Sequence, residues 1–156
     1  MIKVIQAGSE QLAVVLRLVG RLLAELADDP AEFAGWDASQ VEPILRESGD
    51  RFAAFLAVAP DGEPVGVATL TEAVAAYAQG RYGIISELYV APDYRSRGVG
   101  NLLLDAVAAH GRRRGWRRVD VTAPPEARWA RTVEFYQQNG FVFTGPKLRL
   151  DLLADR

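Results

Sequence analysis

Residues 82–100 read Tyr82-Gly83-Ile84-Ile85-Ser86-Glu87-Leu88-Tyr89-Val90-Ala91-Pro92-Asp93-Tyr94-Arg95-Ser96-Arg97-Gly98-Val99-Gly100. Tyr82 to Val90 is mostly aromatic, aliphatic and β-branched, the composition of a strand. Ala91-Pro92-Asp93 closes it. Beyond the glycines, Val99, Leu102, Leu103, Ala106 and Val107 form a helical stripe to about Arg114, and Gly115 is its C-terminal stop. A strand that turns through glycines into a helix is an anion site. The first N–H groups of the helix have no internal partner, and the helix dipole favours negative charge there. Gly98 and Gly100 let a phosphate chain approach the backbone, and Arg95 and Arg97 add positive charge around Ser96. The loop lacks the Gly-Lys-Ser/Thr ending of a Walker loop. It also lacks the third glycine of a dinucleotide fingerprint.

Working outward, Ile2–Ile5 reads as a short strand, and Ser9 as the N-cap of a helix. That helix carries Leu12, Val15, Leu16, Val19, Leu22, Leu23 and Leu26, and it stops before Asp28-Asp29-Pro30. A short second helix includes Val41, Ile44 and Leu45, with Pro43 expected in its first turn. Phe52–Ala59, Val65 to about Ala75 and Tyr82–Val90 are strands separated by Pro60-Asp61-Gly62-Glu63 and by Gln79-Gly80-Arg81. After the central helix, Arg118–Thr122 is a strand, Pro124-Pro125 a break, and Trp129–Gln137 a helix ended by Asn139-Gly140. Phe141–Thr144 and Lys147–Leu153 are expected as the last two strands. The order predicts an α/β domain with a largely antiparallel sheet and helices on its faces.

The chain has 156 residues, enough for one domain, here read as residues 1–156; it is 49% hydrophobic and 24% charged. It has no cysteine, which excludes a disulfide framework and a cysteine nucleophile. With His110 as its single histidine, a multi-histidine metal site is impossible, and no metal is expected. No apolar run approaches the ~20 residues needed to span a bilayer. Met1–Ile5 lacks the pattern of a signal peptide, so the cytoplasm is the expected compartment. The net charge of −2 hides an asymmetry. Glu25–Asp50 carries eight acidic residues and one arginine, whereas Arg95–Arg118 carries seven arginines and one aspartate.

Arg95-x-x-Gly98-x-Gly100, after a strand ending Leu88-Tyr89-Val90-Ala91-Pro92, resembles the acyl-CoA pyrophosphate loop of the GNAT superfamily of N-acetyltransferases. Phe135-Tyr136-Gln137-Gln138-Asn139-Gly140-Phe141 resembles that family's second signature, an aromatic-Tyr helix end followed by Gly-Phe. Both occur in the family's order, and the element order agrees over essentially the whole chain. Where the family often has an asparagine, this chain has Trp129. The resemblance implies a GNAT-like fold: a central, mostly antiparallel twisted sheet flanked by helices and splayed at the acyl-CoA site. It also implies transfer of an acetyl group from acetyl-CoA, as co-substrate, to a primary amine on a small molecule or a protein, and a homodimer is common in the family.

On that reading the pyrophosphate lies on the amides from Arg97 through Val99 to Gly100, and the pantetheine arm lies along Leu88, Tyr89 and Val90. The N–H of Val90 is placed to polarise the thioester carbonyl. Tyr136 matches the position that protonates the departing thiolate. Glu87, a carboxylate inside an apolar strand, is a candidate general base acting through water. The family's first two helices line the acceptor side. Here their connection holds Asp28, Asp29 and Glu32 with Phe33 and Trp36, which suits a cationic amine; the alternative is a solvated acidic loop whose aromatics pack on the core. His110 is expected at the surface. Arg112, Arg113, Arg114, Arg117 and Arg118 are read mostly as solvated, without nucleic-acid binding. The rival readings are an acyl-CoA sensor without turnover and a nucleic-acid binder.

Overall fold

The central strands are apolar on both sides, and the reason is a sheet covered on both faces. The computed structural model describes residues 1–123 and 127–153; Pro124-Pro125, expected as a break, lie outside them. Its strands are β1 (Lys3–Gln6), β2 (Phe52–Val58), β3 (Pro64–Ala75), β4 (Gly80–Val90) and β5 (Val119–Val121). Its helices are α1 (Leu12–Leu26), α2 (Ala38–Glu47), α3 (Val99–Arg114) and α4 (Ala130–Gln138). The five strands lie in the order β1-β2-β3-β4-β5. The first three pairings are antiparallel, and β4–β5 is parallel.

Ala53–Ala57 and Val65–Leu70 are buried throughout. On one face Val15, Leu18 and Val19 of α1 pack with Ala54, Leu56, Val67 and Tyr89. On the other, α3 contributes Leu103, Leu104, Val107 and His110. The ring of His110 lies 5.6 Å from Phe55 and 5.3 Å from Trp116, both edge-on. His110 is therefore buried, not at the surface as expected: it extends the Leu103–Val107 stripe by one helical step. Burial and the nearby Arg113 and Arg114 hold its pKa below the ordinary 6.5. Arg114 is not merely solvated either. Its guanidinium donates two bonds of 2.9 Å to Glu72, which also accepts from Trp116 Nε1 at 2.6 Å. Arg118 donates to both carboxylate oxygens of Asp120 and stacks 4.8 Å from the Tyr77 ring.

Three other expectations need correction. The helix predicted from Ser9 begins as a 3₁₀ turn over Ser9–Gln11, and α1 proper starts at Leu12. Pro43 sits inside α2 rather than in its first turn, where Asp37 is the N-cap and accepts from the Ser39 N–H. No strand forms over 141–153 among the described residues. The alternation of Leu148, Leu150 and Leu152 is present, but these side chains are exposed and the segment pairs with no described strand. A strand pattern without a ladder partner is not a strand.

The chain forms two compact units, Met1–Val121 and Thr122–Arg156. The sheet with α1–α3 belongs to the first, and α4 to the second.

Candidate active site

In the first unit, the chemistry gathers at the C-terminal half of β4. Its pairing with β5 covers only Gly83–Val119, Ile84–Asp120 and Ile85–Val121. Within residues 1–121, Ser86–Val90 therefore has no strand on that side. On the other side the register slips: Leu70 faces Ile85 but Thr69 faces Glu87, leaving Ser86 as an extra residue. Such a bulge bends and twists the strand that carries it.

The ladder sets the direction of the backbone beyond the bulge. The Ala91 N–H donates to the Val65 carbonyl at 2.8 Å. Bonded and non-bonded pairs alternate in an antiparallel ladder, so the next pair, Val90–Gly66, exchanges no ladder bonds. The N–H and C=O of Val90 thus point away from β3, toward the side that β5 has left. Arg95 Nε donates to the Val90 carbonyl at 2.8 Å, as that orientation requires.

After β4, Pro92–Tyr94 makes a single 3₁₀ turn, and the chain passes through Ser96 (φ +61°) and Gly98 (φ +79°) into α3. Gly98 is the N-cap in the left-handed region, where a glycine carries no Cβ penalty. A Cβ there would meet nothing within 4 Å, so space is open above the first turn of a 16-residue helix. Val99 is buried and anchors that turn. Arg97 is exposed, its guanidinium 5.6 Å from the Tyr94 ring. Arg95 is occupied differently: besides Val90 it donates to Glu25 of α1 at 2.6 Å and lies 5.6 Å from the Tyr89 ring. Open space, first-turn N–H groups and an exposed arginine fit a pyrophosphate.

Glu87 is half-buried on the face that packs against α1, the face it shares with Tyr89. Thr69 Oγ donates to the Glu87 carboxylate at 2.8 Å and accepts from the Glu87 N–H at 3.1 Å. Burial pushes the carboxyl above its ordinary 4.5, and the Thr69 bond opposes that shift. Sequence reasoning misses Thr69, whose only signal there is a lone hydroxyl in the apolar run Val65–Leu70. It misses Glu25, the partner of Arg95, as well.

Beside the C-terminal turn of α1 is a cavity of about 390 Å³, lined among others by Leu23, Ala27, Asp28, Pro30, Phe33 and Trp36. It brings together Asp28, Phe33 and Trp36 of the expected acceptor side. Trp36 and Leu23 also pack on the core cluster that contains Tyr89. Asp29 and Glu32 do not line the cavity. Their carboxylates brace the turn, accepting from the N–H groups of Ala31 (2.9 Å) and Asp28 (3.1 Å).

In the second unit, Tyr136 is buried, with the Phe135 and Phe141 rings each 5.3 Å away. Its carbonyl accepts from the N–H groups of Asn139 and Phe141 as the chain leaves α4 through Gly140 (φ +91°). Burial pushes the phenol up to about 12. Trp129 is the N-cap of α4, with Arg128 over its ring at 5.1 Å. Among the described residues, no group of three His, Asp or Glu side chains could hold a metal ion, and no helix is long and apolar enough to cross a membrane.

Known proteins resemble this chain over most of its length. The model of the acetyltransferase (GNAT) family matches residues 21–141, which include the bent strand, the glycine loop and Tyr136. The chain belongs to the GNAT acetyltransferase family. Over 88 residues it is 32% identical to an uncharacterised N-acetyltransferase of Methanocaldococcus jannaschii, a match spanning 56% of this chain and 38% of that one. An aminoglycoside acetyltransferase from an uncultured soil metagenomic sample shares the GNAT fold at TM-score 0.77 and 22% identity, with 99% of each chain covered. A predicted acetyltransferase of Clostridium acetobutylicum with acetyl-CoA does so at TM-score 0.77 and 18% identity, covering 98% of this chain and 97% of the other. In GNAT terms, the expected mostly antiparallel sheet is a mixed, open five-stranded sheet flanked by helices.

Proposed function

We propose that the chain transfers an acetyl group from acetyl-CoA directly to the nitrogen of a primary amine. The observation that carries this reading is the end of β4, where the Val90 N–H and C=O turn away from β3 to the side that β5 has left, just before the loop that leads through Gly98 into α3. Acetyl-CoA supplies the acetyl thioester. The Gly98–Gly100 amides and Arg97 bind its pyrophosphate, and the backbone of Leu88–Val90 holds its arm. The Val90 N–H faces the thioester oxygen and stabilises charge that builds there. Glu87 takes a proton from the acceptor ammonium through water, so that a neutral amine attacks. Tyr136 delivers a proton to the sulfur as the C–S bond breaks.

The cavity at Asp28, Phe33 and Trp36 receives the acceptor. A carboxylate beside two aromatic faces favours a cation with an apolar flank. A polyamine, an aminoglycoside or a lysine-like amine fits that chemistry better than an acidic amine such as glutamate. The structural resemblance to an aminoglycoside acetyltransferase points the same way.

The deciding experiment is a screen of amine acceptors with acetyl-CoA, reading released thiol against a chain that has no cysteine of its own. Acetyl-CoA binding with turnover of cationic amines is expected. Binding without turnover of any amine would make the chain an acyl-CoA sensor, and no binding at all would overturn the reading.

A further inference from the structure

We infer that Arg95 is a positioning residue that clamps the Val90 peptide to α1, rather than a ligand of the cofactor's phosphates; the inference rests on the acetyltransferase reading. Three contacts restrain its guanidinium. Nε donates to the Val90 carbonyl at 2.8 Å, Nη2 to Glu25 Oε2 at 2.6 Å, and the Tyr89 ring lies 5.6 Å from Cζ. Arg97, two residues on, is exposed with its guanidinium over the Tyr94 ring, and it is the arginine placed to meet an anion.

The clamp matters because of which peptide it holds. In an extended strand, the N–H and C=O of one residue point to the same side. The Ala91–Val65 ladder bond sets this direction, and the Arg95 bond to the Val90 carbonyl holds it from the open side, and with it the direction of the Val90 N–H, the group proposed to stabilise the thioester oxygen. No β5 residue does this, since the β4–β5 ladder ends at Ile85–Val121. The other end of the clamp, Glu25, stands in the last turn of α1 among Leu23, Ala27 and Asp28, which line the acceptor cavity. One planar, forked side chain thus ties the cavity wall to the oxyanion donor. Lysine, a single ammonium, cannot hold both acceptors in one plane. The Arg95–Glu25 pair is partly exposed, with side-chain exposures of 43% and 36%, so its role is one of alignment more than of stability.

The test uses the full chain with Arg95→Lys, which keeps the charge near any phosphate, and Glu25→Gln, which touches no phosphate. Three quantities are measured: the acetyl-CoA Kd by calorimetry, kcat and KM for one cationic amine, and the carbonyl ¹³C resonance of Val90 in the free protein. We expect both variants to keep Kd within about twofold and to lose about tenfold in kcat, the order for a sub-ångström misplacement. The double variant should lose little more than either single one, because both break one linkage. The Val90 carbonyl resonance should move upfield in both, because Arg95→Lys removes its donor and Glu25→Gln loosens the guanidinium that carries it. A rise of tenfold or more in Kd for Arg95→Lys, with Glu25→Gln like wild type, would overturn the clamp and return Arg95 to phosphate binding. An unmoved Val90 resonance would overturn it too. If the wild-type chain binds no acetyl-CoA, the acetyltransferase reading falls, and the carbonyl resonance alone decides whether the clamp exists.

Discussion

Glu87 and Tyr136 have pKa values moved in the same direction for the same reason, and the consequences differ. Burial raises the Glu87 carboxyl, while the Thr69 hydroxyl, by donating to the ionised form, holds the shift back. A base must be ionised to work, so the acidic limb of kcat/KM is expected above the ordinary carboxylate value. Thr69→Val removes the donor and should move that limb to still higher pH in a pH–rate profile. Glu87→Gln should lower activity about 10²–10⁴-fold near neutrality and less at high pH, where more acceptor amine is already neutral. A profile identical to wild type would remove Glu87 from the mechanism. For Tyr136 the raised value, about 12, keeps the phenol protonated across any working range. Its own titration should therefore produce no loss of activity below about pH 11. Tyr136→Phe should keep acetyl-CoA affinity and lose about 10²–10⁴-fold in kcat; wild-type turnover would return the residue to a packing role.

Among the elements, the β4–loop–α3 passage is the most legible in the sequence. Gly98 marks a left-handed N-cap, and the apolar stripe from Val99 marks the helix; both are local signals. Gly98→Val should leave the fold intact, because a Cβ there has no protein atom within 4 Å, at a cost of about 1–2 kcal/mol for the positive φ. Its acetyl-CoA affinity should collapse, and a calorimetric titration with unchanged Kd would sink the phosphate assignment. Non-local features cannot be read in this way. The Thr69–Glu87 bond depends on a register slip between two strands, and the Arg95–Glu25 pair joins residues 70 positions apart. The strands expected at Phe141–Thr144 and Lys147–Leu153 follow an apolar run and an alternation of leucines, but a ladder needs a partner that no local pattern reveals. The close approach at Gly83 is equally hidden. A Cβ at Gly83 would overlap the Trp116 ring, so Gly83→Ala should destabilise by about 1–3 kcal/mol in a denaturant titration.

At the scale of the molecule, the end of β4 and a buried polar anchor at Glu72 lie on different parts of the sheet. Glu72, with its side chain 7% exposed, binds Arg114 and Trp116 and is held at about 2 instead of the ordinary 4.5. Its folded-state value is depressed, so its contribution is complete above about 4.5 and is lost as pH falls through about 2. Glu72→Gln should lower Tm at neutral pH and flatten the fall of Tm between those two values; an unchanged slope would show that other groups govern acid unfolding. The sheet order also has a consequence for biogenesis. Strands pair in the order in which they are made, and β1–β5 with α3 are complete by Val121. Chains fold from the N-terminus as they emerge from the ribosome. The surface proposed to grip the donor can therefore assemble on a nascent chain before Tyr136 emerges from the ribosome, which makes the proposed proton donor the last working part to arrive.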